Sequence, residues 1–143
     1  MTIERIISEA ITEPAPGMWS NALRVGDALY LSGLTARNSA GQVVGNSEYE
    51  QAKLIFERIG HLLVAAGAHP NDVVRLNLFL TRIDQREQVW KARREFFDAA
   101  DDSRCFPAAT LVEVSSLQPG VLVEIEATAH VGHGGRPAEI AGA

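Results

Sequence analysis

The stretch "VVRLNLFLTR", from Val73 to Arg82, alternates apolar and polar side chains residue by residue. Successive side chains of a β-strand point to opposite faces, so this period of two predicts a strand. Its apolar face is Val74, Leu76, Leu78 and Leu80, and its other face is Arg75, Asn77, Phe79 and Thr81. The last strand, "VLVEIEATAHV", alternates in the same way, with Val123, Ile125, Ala127 and Ala129 opposite Glu124, Glu126, Thr128 and His130. The fold must therefore contain a sheet.

Four further segments are predicted to be strands. "IERIIS" (Ile3 to Ser8) has strand-like content, and "ALRVGDALYLSGL" reads as two strands around a Gly26–Asp27 turn. "ATLVEV" is joined to the last strand by a loop that contains Gln118 to Gly120. The prolines and glycine of "EPAPGMWSN" and the polar, glycine-bearing "ARNSAGQVVGNS" indicate loops.

Two segments have helical spacing. Ser47 and Glu50 form a capping box, and Gly67 suits the residue that ends the helix. The apolar residues recurring between them are Ala52, Ile55, Phe56, Ile59, Leu62, Leu63 and Ala66. A second helix, "QREQVWKARREFFDAA", is expected to be capped by Asp84, with Val89, Phe96 and Phe97 as its apolar anchors.

The resulting order is β-β-β-α-β-α-β-β, which predicts an α/β (α+β) fold with a single mixed sheet. We expect one domain over residues 1–130 and a flexible tail over 131–143. Two helices can cover only one face of the sheet. Since "ALYLSG" and "ATLVEV" are apolar toward both faces, we expect the other face to be buried against another copy of the chain.

Charge and composition exclude several classes of protein. The 143 residues carry a net charge of -5, with "KARRE" (Lys91 to Glu95) as the single basic cluster, which we interpret as a solvated helix face. This balance argues against nucleic acid as a partner. No apolar run is long enough to span a membrane, and the N-terminus does not resemble a signal peptide. Cys105 is the single cysteine, which predicts a reducing compartment and hence a cytoplasmic protein.

The residues alone leave the chemistry open. Glu124 and Glu126 share one strand face and could perform acid–base work, or they could be surface glutamates. Trp19 could wall a ligand pocket or cap the core, and Cys105 could be a reactive thiol beside Arg104 or an inert cysteine. The four histidines, His61, His69, His130 and His133, do not form a metal-binding pattern. No phosphate loop or dinucleotide fingerprint is present, so we expect no metal and no cofactor.

Three stretches resemble the RidA (YjgF/UK114) family of reactive imine and enamine deaminases, also called endoribonuclease L-PSP-like proteins. They are "APGMWSNALRVGDALYLSGLTA", "NLFLTRIDQREQVWKARREFF" and "FPAATLVEVSSLQPGVLVEIEATA", and together they span roughly residues 14 to 130. The resemblance implies a chorismate-mutase-like fold and a homotrimer with clefts between subunits. It also implies hydrolysis of 2-imino and 2-enamino acids, such as 2-aminoacrylate, to 2-keto acids and ammonia.

The family resemblance implies a set of cleft residues. A glutamate on the last strand, which positions water in the family, falls on Glu126. The substrate-binding positions fall on Trp19, Ser32, Gly33, Trp90, Ala109 and Leu111. The family's arginine, which binds the substrate carboxylate as a bidentate pair, is Ala109 here.

This replacement changes the expected ligand. A carboxylate that enters a cleft without a paired cation loses several kcal/mol of solvation. Arg104 or Arg37 could supply the missing guanidinium, ordinary surface arginines being the alternative, or the ligand could be less charged. We therefore expect hydrolytic deamination of a small imine, enamine or related carbonyl compound rather than of a standard 2-imino acid. The alternative is a non-enzymatic small-ligand-binding or chaperone-like trimer.

Overall fold

The computed structural model describes residues 2–98, 106–134 and 141–142. Within these residues the order of elements is the predicted β-β-β-α-β-α-β-β. The strands are β1 (Ile3–Ile6), β2 (Ala22–Val25), β3 (Ala28–Leu34), β4 (Val73–Leu80), β5 (Ala108–Glu113) and β6 (Val123–His130). The helices are α1 (Glu48–Ala65) and α2 (Arg86–Phe96).

All six strands form one mixed sheet in the order β1-β2-β3-β6-β4-β5. Every neighbouring pair is antiparallel except β4 and β5, which run parallel. Parallel neighbours need a crossover connection, and α2 lies within the segment that joins β4 to β5. The last strand, β6, lies between β3 and β4 in the middle of the sheet.

Both helices lie on the same side of the sheet, where α1 packs against β3 and β6 and α2 packs against α1. The predicted inner face of β6 is buried throughout, while Glu124, Glu126, Thr128 and His130 on its other face are half-buried. From α1, Ile55, Phe56, Ile59, Leu62 and Leu63 are almost fully buried. Phe56 stacks on Phe96 of α2 with ring centroids 5.0 Å apart, and Phe97 packs edge-on against both rings. We call the side of the sheet away from the helices the open face.

The predicted inner face of β4 is wrong at one position. Leu76, Leu78 and Leu80 are buried, but Val74 is 43% exposed and Val73 is buried instead. The pairing of β4 with β6 shifts register between Val73 and Arg75. Such an irregularity inserts an extra residue and reverses the sides on which the following side chains lie.

The helix ends follow the predictions only in part. Ser47 Oγ accepts a hydrogen bond from the Glu50 backbone N–H at 3.1 Å, although the Glu50 carboxylate accepts from Asn46 rather than from Ser47. Asp84 does not cap α2, which begins at Arg86 after a 3-10 turn over Ile83–Gln85. Because of this turn, the residue that precedes the helix is Gln85 rather than Asp84, and the Gln85 side chain makes no capping hydrogen bond.

The buried Gln51 side chain connects α1 to two loops at one end of the sheet. Its amide nitrogen donates to the carbonyl oxygens of Gly45, at 3.0 Å, and Gly120, at 2.9 Å. Its amide oxygen accepts from the Leu122 backbone N–H at 2.9 Å. One turn earlier, the buried Glu48 carboxylate accepts two hydrogen bonds from the Arg82 guanidinium, at 2.7 and 2.8 Å. These bonds fix where β4 ends and where β6 begins.

Replacing Gln51 with leucine should destabilise the fold. The volume is preserved, but three partly buried hydrogen bonds to the backbone are lost, so we expect the free energy of unfolding to fall by about 2 kcal/mol. Urea denaturation at one fixed protein concentration measures the loss. Lys53→Leu, at an exposed position on the same helix, is the control and should change stability by no more than about 0.5 kcal/mol. Equal effects of the two substitutions would contradict this role of Gln51.

Candidate functional site

The open face carries a carboxylate that is held in place by a neighbouring strand. Glu126 of β6 lies opposite Asn77 of β4, and Asn77 Nδ2 donates to Glu126 Oε1 at 2.8 Å. Among the described residues, no donor hydrogen-bonds to the other carboxylate oxygen, Oε2. An oriented carboxylate with one oxygen unengaged can accept a proton from a bound water.

A second carboxyl group lies two residues away on the same face. Burial raises the pKa of the Glu124 carboxyl, and the negative charge of Glu126 raises it further. Gly33 of β3 leaves space for this side chain, because a Cβ atom at position 33 would lie 3.0 Å from Glu124 Cδ. The Glu124 carboxyl therefore keeps a proton more readily than an ordinary glutamate, which suits the role of a general acid.

The loop before β2 is anchored to the same region. Ser32 Oγ donates to the Ser20 carbonyl at 2.6 Å, and the Ser32 backbone N–H donates to the Asn21 carbonyl at 2.9 Å. These bonds place Trp19 at the cavity, where its side chain is 55% exposed. Trp19 therefore does not cap the core.

Together these residues line a cavity of about 720 Å³, which we call the open-face cavity. Trp19, Ser32, Gly33, Glu124 and Glu126 are among its lining residues.

Two arginines also line the open-face cavity, but both are held by protein acceptors. Arg37, which was one of two candidates to replace the missing cation, donates to Thr35 Oγ1 and the Gly41 carbonyl at 2.9 Å each, and to Gln118 Oε1. Arg58 donates to the Thr35 carbonyl at 2.5 Å, and burial lowers its pKa, with Arg37 adding to the effect. The Arg37 guanidinium is thus occupied as a structural donor. Arg104, the other candidate, and Cys105 lie outside the described residues.

The remaining predicted site residues lie on the opposite side of the sheet. Ala109 and Leu111 pair with Leu76 and Leu78, whose side chains face the helices. With Trp90 of α2 they line a different cavity of about 570 Å³, which we call the α2–β5 pocket. One chain therefore does not bring Ala109 and Glu126 together.

The basic cluster of α2 was predicted to be a solvated face, and this is wrong for Arg93. Arg93 is half-buried, and both Arg93 and Arg94 line the α2–β5 pocket. Lys91 points elsewhere, with its Nζ 4.6 Å from the centroid of the Tyr49 ring. The spacing in the sequence could have indicated that Arg93 is not fully solvated. Arg93 follows Trp90 by three residues and precedes Phe97 by four, which places all three on one side of the helix.

Two of the four histidines, His130 and His133, lie beside an aspartate. His133 Nε2 lies 2.7 Å from Asp27 Oδ2, and His130 Nδ1 lies 3.7 Å from Asp27 Oδ1. The hydrogen bond from His133 lowers the pKa of the exposed Asp27 carboxyl. In the described part of the chain, no three histidine, cysteine, aspartate or glutamate side chains are grouped so that they could hold a metal ion. No helix there combines the length and hydropathy needed to cross a membrane.

Solved structures place the fold in a known class. A protein of the conserved Rid protein family from Yersinia pestis superposes with a TM-score of 0.81 at 31% identity, covering 91% of this chain and all of its own. A protein of unknown function from Pseudomonas aeruginosa superposes with a TM-score of 0.80 at 38% identity, covering 92% and 94% of the two chains. The sheet and its two helices therefore form the chorismate-mutase-like fold of Rid proteins.

Sequence comparison identifies the family. Residues 10–131 match the family described as Endoribonuclease L-PSP. A RutC family protein of Pyrococcus abyssi is 32% identical over 91% of this chain and 98% of its own. The human 2-iminobutanoate/2-iminopropanoate deaminase is 33% identical over 89% of this chain and 90% of its own. The chain belongs to the RidA, or endoribonuclease L-PSP, family.

The proximity of the two glutamates can be measured directly. Because a neighbouring negative charge disfavours ionisation, Glu126→Gln should lower the pKa of Glu124 toward the ordinary glutamate value, with the part due to burial remaining. A ¹³C NMR titration of the glutamate side-chain carboxyl groups measures the change. Glu4→Gln, on the exposed strand β1, is the control and should leave Glu124 unchanged. A Glu124 titration unaffected by Glu126→Gln would show that the two groups do not interact.

Proposed function

We propose that this protein is a RidA-type homotrimer, in which the open-face cavity of one subunit and the α2–β5 pocket of the next form a shared cleft. The observation that carries the proposal is that the predicted cleft residues occur in two separate cavities on opposite sides of one sheet. Four positions line the open-face cavity and three line the α2–β5 pocket, so a second copy is needed to unite them. An arrangement of three copies follows the family resemblance.

Exposed apolar side chains support association through the open face. Tyr30 of β3 is 52% exposed, Val74 of β4 is 43% exposed and Val112 of β5 is 40% exposed. Each lies on a strand rather than in a loop, and neither helix covers that side of the sheet. Contact with another copy would remove this apolar surface from water.

We assign the cleft hydrolytic deamination of a small imine, enamine or related carbonyl compound. Water adds to the C=N carbon while the Glu126 carboxylate accepts a proton from it. The nitrogen takes a proton from Glu124 in this step, which gives a neutral carbinolamine. Glu126 then returns its proton to the nitrogen, and the C–N bond breaks as the hydroxyl proton passes to Glu124, the C=O bond forms and ammonia leaves. Glu124, whose pKa is raised, can hold the proton that the nitrogen takes. An imine and water thus give a ketone and ammonia.

Ala109 sets this protein apart from a standard 2-imino acid deaminase. Its methyl group offers no charge to a substrate carboxylate at the position where the family resemblance places a guanidinium. Small 2-imino acids, which have little apolar surface to bury, depend on that charge for binding. We therefore propose that they are poor substrates.

The trimer can be tested by light scattering coupled to size-exclusion chromatography. The 15.5 kDa chain should elute with about three times that mass. Val112→Glu places a charge on the open face and should shift the protein toward smaller species. Val64→Glu, at a position of α1 that is 74% exposed, is the matched control and should leave the mass unchanged. A wild-type monomer would contradict the shared cleft.

Glu126 can be tested by ammonia release from 2-iminobutyrate and 2-aminoacrylate, generated enzymatically, and from neutral imines. Glu126→Gln should lower kcat by roughly 100-fold for whichever substrate is turned over, because the proton acceptor is lost. Glu50→Gln, at an exposed position of α1, serves as the control. If Glu126→Gln leaves turnover unchanged while a ligand still binds, the alternative of a non-enzymatic binding protein is correct.

A further inference from the structure

The α2–β5 pocket combines positive charge with an apolar lining. Arg93 and Arg94 contribute the charge, Trp90 and Phe106 contribute aromatic rings, and Ala109 and Leu111 lie on the strand beside them. Arg86 covers the Trp90 ring, with its Cζ 5.6 Å from the ring centroid. A cavity of about 570 Å³ has room for a small organic molecule.

Arg93 differs from the other half-buried arginines of the described chain. Arg24, Arg37 and Arg58 each donate hydrogen bonds to protein acceptors. Arg93 donates to none among the described residues, and no carboxylate there forms an ion pair with it. Burial lowers the pKa of Arg93, and the adjacent Arg94 adds to the effect.

The nearest acid in sequence does not neutralise this pair. Glu95 is the hydrogen-bond acceptor for Tyr49 of α1, with the hydroxyl 2.8 and 3.1 Å from its two carboxylate oxygens. A half-buried guanidinium beside a like charge has lost hydration without gaining a partner. An anion in the pocket would supply that partner and relieve the repulsion.

We propose that Arg93 binds the carboxylate of a ligand whose body is apolar and bulky, of aromatic or branched-chain size. The guanidinium donates to the carboxylate, Arg94 adds charge, and Trp90 and Phe106 contact the body of the ligand. Ala109 leaves open the volume that a longer side chain would fill. Where the pocket is part of the shared cleft, which rests on the proposed function, the imine or enamine that is hydrolysed carries both this carboxylate and an apolar group of aromatic or branched-chain size.

Calorimetric titration of the full chain with stable probes tests this inference without any turnover. We use 3-phenylpropionate, its neutral counterpart 3-phenylpropionamide, and propionate, which lacks the ring. 3-Phenylpropionate should bind at least about tenfold more tightly than either of the others, since it alone satisfies both the charge and the apolar lining. Equal binding of the acid and the amide, or no binding of the acid at millimolar concentration, would overturn the proposal.

Variants assign the effect to Arg93. Arg93→Met should weaken 3-phenylpropionate binding at least about tenfold and leave 3-phenylpropionamide unchanged, which shows that the pocket is still folded. Arg93→Lys should restore part of the affinity. Lys53→Met, which makes the same change in net charge on exposed α1, should have no effect. Unchanged 3-phenylpropionate affinity in Arg93→Met would refute the role of Arg93.

The binding and deamination experiments fail independently. A protein that binds 3-phenylpropionate through Arg93 but releases no ammonia retains this inference and loses the proposed deaminase. A protein that releases ammonia but binds the acid and amide probes equally retains the proposed deaminase and loses this inference.

Discussion

The alternation of side chains along β6 is the constraint on which the rest of the structure depends. This strand is hydrogen-bonded on both sides, to β3 and to β4, so its register fixes both halves of the sheet. A shift of one residue would exchange its buried aliphatic face for its glutamates and expose the core. The burial energy that holds the fold together therefore also holds Glu124 and Glu126 on the open face.

The candidate functional side chains are also separated onto the two sides of the sheet. Acid–base groups lie on the open face, whereas the arginines of α2 lie on the side where the helices pack. In the part of the chain that the structure describes, neither cavity alone has both a carboxylate poised for proton transfer and a guanidinium that lacks a protein acceptor. For this reason we relate function to an assembly of chains rather than to one subunit.

The sequence predicted most of the fold because periodicity records which side chains face the core. It could not predict the irregularity at Val74 or the loss of the Asp84 cap, since both depend on how neighbouring segments meet in three dimensions. The family resemblance implies an arginine at the position of Ala109, but the sequence did not predict the face on which Ala109 lies. That face follows from the register of β5 against β4, which pairs Ala109 with Leu76. Arg93 was missed because a run of basic residues in a helix usually indicates solvent exposure.

Helix α2 lines a pocket with β5, the edge strand of the sheet, and this position affects which sequence changes the fold can accept. Each residue added to a helix turns the following side chains by about 100°. A single insertion before Arg93 would therefore rotate a different side chain toward β5. Strand β6, which β4 separates from β5 in the sheet, would keep its register. Changes in α2 can thus alter which side chains line the α2–β5 pocket without disturbing the strand that carries the glutamates.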